Sequence, residues 1–217
     1  MEEIKPLFGS FKGISTGIGV QWAIIILVTL IAWLLTRNLN KMPDKKQSAV
    51  EIVVESINNL VKENMGESYK SFIPYVGTLA IFILLMNLAG LVGAPVPTED
   101  VSVTAGLAAI TFFMIQATSI KRNGLVNYFT AFGKPKLFLL PINILERFTT
   151  PLSLCLRLFG NMTAGGVLLS LIYKGMGHFA FVLPVPFHFY FDVFDGGLQM
   201  LIFVMLTMIN IKITAEE

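Results

Sequence analysis

The sequence predicts an all-α integral membrane protein with five membrane-spanning helices and one amphipathic surface helix. Hydrophobic residues make up 54% of the 217 residues, and charged residues make up only 14%. The apolar residues also gather into long runs that are separated by short polar segments. About 20 apolar residues in a helix cross a hydrocarbon layer about 30 Å thick. The chain therefore has room for five crossings with short connections.

Five apolar runs predict the positions of the spans within a single membrane domain. The first run has Trp22 and Trp33 near its ends, where aromatic residues often mark a membrane interface. The fourth run has 37 residues and would extend about 55 Å as one helix. It must therefore break, at Pro141 or Pro151, or lie strongly tilted. The predicted spans are residues 17–36, 72–92, 101–120, 137–173 and 187–213.

Residues 47–64 have the pattern of an amphipathic helix rather than a span. Apolar residues recur at helical spacing along one stripe, and most charged and amide side chains lie away from it. Such a helix lies on a membrane surface or against a partner. A soluble helix packed on its own loops is less favoured, because no soluble core is predicted nearby. The stripe consists of Val50, Val53, Val54, Ile57, Leu60 and Val61.

The basic residues predict the orientation of the chain. The segments that follow the first and third spans, together with Lys212 at the end of the last span, contain 11 of the 16 lysines and arginines. The positive-inside rule places these segments in the cytoplasm, so the N-terminus is expected outside and the C-terminus inside. This orientation requires an odd number of crossings, which agrees with five. The first run is interpreted as an uncleaved span, because it is too long for the hydrophobic region of a signal peptide.

Cysteine and histidine usage argues against disulfide or metal chemistry. The one cysteine, Cys155, lies in an apolar run, so the chain has no disulfide framework and no CxxC site. The histidines His178 and His188 belong to no Cys/His cluster, and neither is assigned a role. We therefore expect no cofactor and no metal ion. We also expect no nucleic acid as a partner.

Arg157 is the most informative residue, because it lies inside the fourth apolar run. Arginine keeps its proton at physiological pH, and inserting it at the centre of a spanning helix costs roughly 2.5–3.5 kcal/mol. A polar stripe on a membrane helix faces protein or water rather than lipid. Such a stripe passes through the arginine and comprises Glu146, Thr150, Ser153, Arg157, Asn161 and Gly165.

The last span also carries polar residues, namely Asp192, Asp195 and Gln199. With the predicted topology, Glu146 lies toward the cytoplasm, whereas Asn161 and the two aspartates lie toward the outside. Gln199 is about 10 Å deeper than Asp192 at the rise of a helix. We therefore expect two hydrated paths that end near Arg157 without joining, because a fixed positive charge repels a cation that would pass directly.

The run Leu156–Gly165, with the sequence LRLFGNMTAG, contains this arginine and is followed by GGLQMLIFVMLT at residues 196–207. The two runs resemble subunit a of F-type ATP synthases. The resemblance covers nearly the whole chain in order, and the arginine motif is highly specific. Further similar segments are residues 43–51, 86–88, 97–100 and 141–146.

The resemblance implies roles for the polar residues of the last two spans. Arg157 matches the essential arginine of the family, Asn161 a nearby asparagine, and Gln199 the glutamine that faces the arginine. Glu146 resembles a carboxylate of the cytoplasmic half-channel, and Ser153 lies on the same polar stripe.

Gly166 departs from the family pattern. Many relatives carry a glutamate or a histidine nine residues after the arginine, and glycine removes any titratable group there. Asp192 falls seven residues before Gln199, where relatives carry a histidine or a carboxylate. We therefore expect Asp192, alone or with Asp195, to supply the outer titratable group.

The family also implies an architecture, a function and partners. The last two spans would form a long, steeply tilted hairpin against a ring of c subunits. The chain would be a non-catalytic, ion-conducting stator subunit in a bacterial plasma membrane. Its partners would be the c ring, the b-subunit stalk, other synthase subunits, the lipid bilayer, and the transported H⁺ or Na⁺.

Other functions and simpler structural roles stay open from the residues alone. A secondary ion-coupled transporter would also bury charges in membrane helices, although the chain has no internal repeat of two halves. An intramembrane aspartyl protease needs two aspartates that face each other from different helices, whereas Asp192 and Asp195 lie on one helix. Arg157 could hold a structural ion pair, and Glu146 could pair with Arg147 at an interface.

Overall fold

The computed structural model describes residues 16–37, 45–131, 140–176 and 184–216. All regular structure in these ranges is helical, with no strand, which confirms the all-α class. Short 3₁₀ segments join some of the helices. The seven α-helices of the described ranges are α1 Thr16–Thr36, α2 Lys45–Met65, α3 Ile73–Leu88, α4 Val101–Ala131, α5 Leu140–Met176, α6 Pro184–His188 and α7 Gly196–Glu216.

Five helical stretches are long and apolar enough to cross a membrane. Their bounds are Gly17–Thr36, Glu67–Val92, Val101–Gly124, Leu140–Gly175 and Val185–Ala215. Some residues that entered the sequence predictions lie outside the described ranges: the N-terminal segment 1–15, residues 137–139 of the fourth run, Lys41, Lys134, Lys136 and His178.

Helix α7 lies at the centre of the packing and contacts α2, α3, α4 and α5. Its residues Val204, Met208 and Ile211 are fully buried, and they recur at the spacing of one helix face. Helix α3 meets this face with Ile83 and Met86, which are also fully buried. Most large apolar side chains of α1, by contrast, are exposed, as expected for a helix that faces lipid.

Helix α2 is amphipathic, and its fully buried residues lie in its second half. Val61 and Met65 are buried against the core that α3 and α7 form, whereas Ile52, Val53 and Val54 are exposed. The predicted apolar stripe is therefore divided into a packed half and a free half.

Helix α5 is continuous through Pro151 and does not break there. Proline removes one backbone N–H, so the carbonyl four residues before Pro151, that of Arg147, loses its donor within the helix. The helix nevertheless continues, and the hydroxyls of Thr149 and Thr150 donate to the neighbouring carbonyl of Glu146 at 3.1 and 2.9 Å. The resulting 37-residue helix is about 55 Å long.

The last span contains one turn type that the sequence did not predict. Between α6 and α7, residues Phe189–Asp195 form a π-helical segment. Such segments are rare and often occur at functional sites, because the wider turn redirects side chains.

A buried amide joins α3, α7 and the connection between α3 and α4. Asn87 is fully buried, and its Nδ2 donates to the carbonyl of Gly196 at 3.0 Å. Its Oδ1 accepts a hydrogen bond of 2.9 Å from the hydroxyl of Thr98, which is also fully buried. Gly196 lies so close that an added Cβ would be 3.0 Å from the Cβ of Asn87. Asn87 therefore fixes the start of α7 and the connection on one point of α3.

We expect Asn87→Leu to destabilise the chain by about 1–3 kcal/mol for each buried partner that is left without a hydrogen bond. The temperature at which the buried Cys155 becomes reactive to a fluorescent maleimide measures this loss. Thr78→Ala is the matched control, since that exposed hydroxyl bonds only to the carbonyl of Pro74 in its own helix. Equal transition temperatures for the two variants would contradict the assignment.

Candidate functional site

A cavity of ≈ 560 Å³ lies between α5, the π-helical segment and the connection from α3 to α4. We call it the carboxylate cavity, because Glu99, Asp192 and Asp195 line it. Its other polar side chains are Asn161, Ser170, Tyr173 and His188.

Asp192 is held on one side of this cavity by a chain of hydrogen bonds. Its side chain is buried, and its Oδ2 lies 2.8 Å from Nδ1 of His188. The Nε2 of the same ring lies 2.9 Å from the hydroxyl of Tyr173 on α5. The tautomer with a proton on Nδ1 satisfies both contacts, since the ring then donates to Asp192 and accepts from Tyr173. The chain thus links the last two spans across the cavity.

Gly90 provides the space for the Asp192 carboxylate. A Cβ added to Gly90 would lie 2.8–2.9 Å from all three carboxyl atoms of Asp192. Gly90 belongs to the 3₁₀ segment Ala89–Val92, which Gly93 terminates in the left-handed conformation with φ 72°. A larger residue at position 90 would therefore push Asp192 out of its place.

Glu99 reaches the cavity from the opposite side. It ends the 3₁₀ segment Pro97–Glu99, and its carboxyl group lies over Gly166 of α5. A Cβ added to Gly166 would lie 3.1 Å from Cδ of Glu99 and still closer to Oε1. Glu99 is exposed as a whole residue, but protein around its carboxyl group raises its pKa by desolvation, and the negative charge of Asp192 raises that pKa further. Two carboxylates from separate elements therefore face one cavity and influence each other.

Arg157 lies on α5 beyond the end of this cavity. Asn161, one helical turn from the arginine, is the lining residue of α5 nearest to it. The Arg157 side chain is exposed, whereas its neighbours Leu154 and Leu158 are buried. Among the residues that the structure describes, none forms a hydrogen bond or an ion pair with it. Its guanidinium is therefore open to solvent or to another molecule.

The structure brings some of the sequence-predicted site residues together and separates others. Asn161, Asp192 and Asp195 line the carboxylate cavity. Glu146 and Ser153 are exposed on the other half of α5, about 16 Å and 6 Å along the helix from Arg157. Gln199 is only 6% exposed and is not among the residues that line the cavity.

Four further polar residues of the cavity were assigned no role from the sequence, namely Glu99, Ser170, Tyr173 and His188. His188 and Asp192 are four residues apart, so helical spacing could have indicated their contact. Glu99 is separated from Gly166 by a long stretch of sequence, and no local pattern indicates that they meet. In the described residues, no group of three or more His, Cys, Asp or Glu side chains could hold a metal ion.

The chain matches the family model described as ATP synthase A chain over residues 18–212. It is 37% identical to ATP synthase subunit a of Geotalea daltonii, over 99% of this chain and 93% of that protein. It is 35% identical to ATP synthase subunit a of Geobacter sulfurreducens, with the same coverage. It is also 31% identical to the protein described as ATP synthase subunit a, sodium ion specific, of Propionigenium modestum, over 98% of this chain and 77% of that protein.

We expect Gly90→Ala to destabilise the chain by about 1–3 kcal/mol, because the added methyl group would overlap the Asp192 carboxyl group and break its contact with His188. Thermal exposure of Cys155 to the maleimide dye measures the effect. Gly106→Ala on α4 is the control, since an added Cβ there meets nothing within 4 Å. Alanine at that helical position should stabilise by roughly 0.5–1 kcal/mol. A gain of stability in both variants would contradict the packing of Asp192 on Gly90.

Proposed function

This chain belongs to the ATP synthase A chain family, whose members are non-catalytic membrane-sector subunits of the synthase, and from this premise we propose that it conducts ions through two half-channels separated by Arg157. The observation that carries the proposal is the exposed guanidinium of Arg157, which lies within an apolar helix and pairs with none of the residues that the structure describes. Family membership also removes the basis for the alternative of a secondary transporter. Other synthase subunits are therefore partners of this chain.

The carboxylate cavity is the proposed outer half-channel. Its volume of ≈ 560 Å³ has room for many water molecules, and its carboxylates and hydroxyls can hold a cation. It extends along α5 to Asn161, one turn before Arg157. An ion that enters here reaches the level of the arginine but meets its positive charge there.

The inner half-channel is proposed to follow the other half of α5. Glu146 and Ser153 are exposed there, on the polar stripe that leads to Arg157. Because the two paths approach the arginine from opposite ends of one helix, an ion passes between them only on a carrier that moves past α5. We propose that Gln199, on the last span, lies in the region where the two paths approach each other.

A ring of c subunits is the proposed carrier, and the b-subunit stalk is proposed to hold this chain in place. A carboxylate on the ring would supply the counter-ion that Arg157 lacks. A positive charge within a few ångströms typically lowers the pKa of a carboxylate by about 1–3 units, so the arginine promotes release of the bound ion. The emptied carboxylate then accepts an ion from the other half-channel before it returns to lipid. The last two spans would face the ring as a tilted hairpin.

The proposed orientation follows the distribution of basic residues. It places the N-terminus and the carboxylate cavity outside the cytoplasm, and Glu146 near the cytoplasm. The similar proteins named above are bacterial, so a bacterial plasma membrane is the proposed location. Each elementary charge that crosses 100 mV supplies about 2.3 kcal/mol, and synthesis of one ATP therefore requires several ions.

The proposed transported ion is H⁺ or Na⁺. One relative, that of Propionigenium modestum, is described as sodium ion specific. Carboxylates can accept a proton or bind a hard cation through oxygen, so the polar residues of this chain suit either ion. The ion-binding carboxylate of the proposed ring would decide between them.

We expect Arg157→Ala to abolish both ion-driven ATP synthesis and ATP-driven ion uptake in vesicles that carry the whole complex. The ring carboxylate would lose its counter-ion, and the barrier between the two paths would be lost. Arg37→Ala is the control, since Arg37 stacks on Trp33 at the end of the first span. Membrane-bound ATP hydrolysis verifies that both variant complexes assemble. Near-normal ion uptake by the Arg157 variant would refute the proposed mechanism.

A further inference from the structure

We propose that Glu99 is an ion-path residue, and that its carboxylate, placed over Gly166 of α5, is the group that accepts the cation in the carboxylate cavity. This inference rests on the proposed function and assigns a specific role within its outer half-channel. Expectations from the sequence placed that role on Asp192 or Asp195. The cation is a proton or Na⁺, and the chemistry common to both is a negatively charged oxygen with access to water.

The first argument is that the Glu99 carboxyl group occupies the space directly over Gly166. Glycine inside a helix costs roughly 0.5–1 kcal/mol relative to alanine. Gly166 lies within α5 and does not have a positive φ, so its backbone does not demand glycine. A side chain at this position would meet the Glu99 carboxyl group where it now lies, so one of the two groups would have to shift. Gly160 and Gly175 of the same helix have no such neighbour, since a Cβ at either position meets nothing within 4 Å.

The second argument is that the residues on both sides of Glu99 are held in place. The hydroxyl of Thr98 donates to the buried Asn87. Asp100 accepts a hydrogen bond of 2.8 Å from the backbone N–H of Ser102, through Oδ1, and so caps the start of α4. The backbone N–H of Glu99 donates to the carbonyl of Val96 at 3.1 Å. The fold therefore directs this carboxylate into the cavity rather than leaving it on a free loop.

The third argument is the division of roles between the carboxylates. Asp192 is buried and already accepts from His188, whose ring is held in turn by Tyr173. Glu99 has access to the cavity, and two ionised carboxylates at one site repel each other. Binding a cation on Glu99 relieves this repulsion without breaking the contact between His188 and Asp192. The pKa of Glu99 is raised by burial and by Asp192, which favours its protonated form.

The groups that face Glu99 come from two elements. Asp192, Asp195 and His188 lie on the last span, and Tyr173 lies on α5. In the proton case, Glu99 takes one proton from a hydronium ion in the cavity, which leaves neutral water and a neutral carboxylic acid. It later returns the proton to water near Asn161 and becomes a carboxylate again. In the sodium case, Na⁺ binds a carboxylate oxygen and leaves unchanged.

The test is ATP-driven ion uptake by inverted vesicles that carry the whole complex. Glu99→Gln keeps the size of the side chain but removes the charge, and we expect uptake to fall about tenfold or more. Glu67→Gln is the matched control, since Glu67 pairs with the exposed Lys70 away from the cavity, and its uptake should equal that of wild type. Membrane-bound ATP hydrolysis and the Cys155 melting temperature verify assembly and folding.

A double variant tests whether the position of the carboxylate matters. Glu99→Ala with Gly166→Glu moves the carboxylate from the connection to α5 but keeps it in the same part of the cavity. We expect this variant to recover most of the uptake, whereas Gly166→Glu alone should lose it because the two side chains would overlap. A fall in Glu99→Gln without recovery in the double variant would indicate that Glu99 only holds its loop, and would overturn the proposal.

Each measurement is made with and without added Na⁺. If uptake requires Na⁺ and Glu99→Gln raises the Na⁺ concentration that it requires, the cation on Glu99 is sodium. If Glu99→Gln lowers uptake equally with and without added Na⁺, the cation is a proton. Wild-type uptake by Glu99→Gln under both conditions would overturn the inference. If Glu99→Gln pumps normally but Arg157→Ala does not, the role of Glu99 is wrong and the proposed function stands. If Arg157→Ala also pumps normally, the proposed function itself fails.

Discussion

A positive charge within an apolar helix, with no partner among the described residues, is the constraint on which the proposed function depends. Arg157 cannot lose its proton, is exposed on α5, and has no hydrogen bond or ion pair among the described residues. Its buried neighbours Leu154 and Leu158 direct α5 onto the core and leave the guanidinium on the outer face. Packing of the apolar face thus leaves this charge open to water or to another molecule. We infer that a moving carboxylate on a neighbouring subunit does so.

The carboxylate cavity depends on close packing at two glycines. Gly90 provides space for Asp192, and Gly166 provides space for Glu99. The connection that carries Glu99 is in turn fixed by Asn87, which also holds the start of α7. Buried hydrogen bonds are worth most where their loss would leave partners unsatisfied in an apolar surrounding. The same contacts that stabilise the helical bundle therefore determine which carboxylates meet in the cavity.

The sequence predicted what apolar runs and local spacing encode. It predicted five spans, the surface helix and the polar residues of the last two spans. It left open whether α5 breaks or lies tilted as one helix, since proline rules favour a break at Pro151, whereas the helix is continuous there. It also could not indicate that Glu99 meets Gly166. This contact depends on long-range packing of the α3–α4 connection against α5, and no periodicity reports such packing.

The most direct test of two separate half-channels is the sidedness of labelling along α5. In a complex with Cys155→Ser, single cysteines at Asn161 and Ser153 would be labelled with a membrane-impermeant thiol reagent from either side of the membrane. The account predicts that Asn161→Cys reacts only from the outside and that Ser153→Cys reacts only from the cytoplasm. The side from which α5 is accessible would then change at Arg157. Reaction of both cysteines from the same side would contradict it.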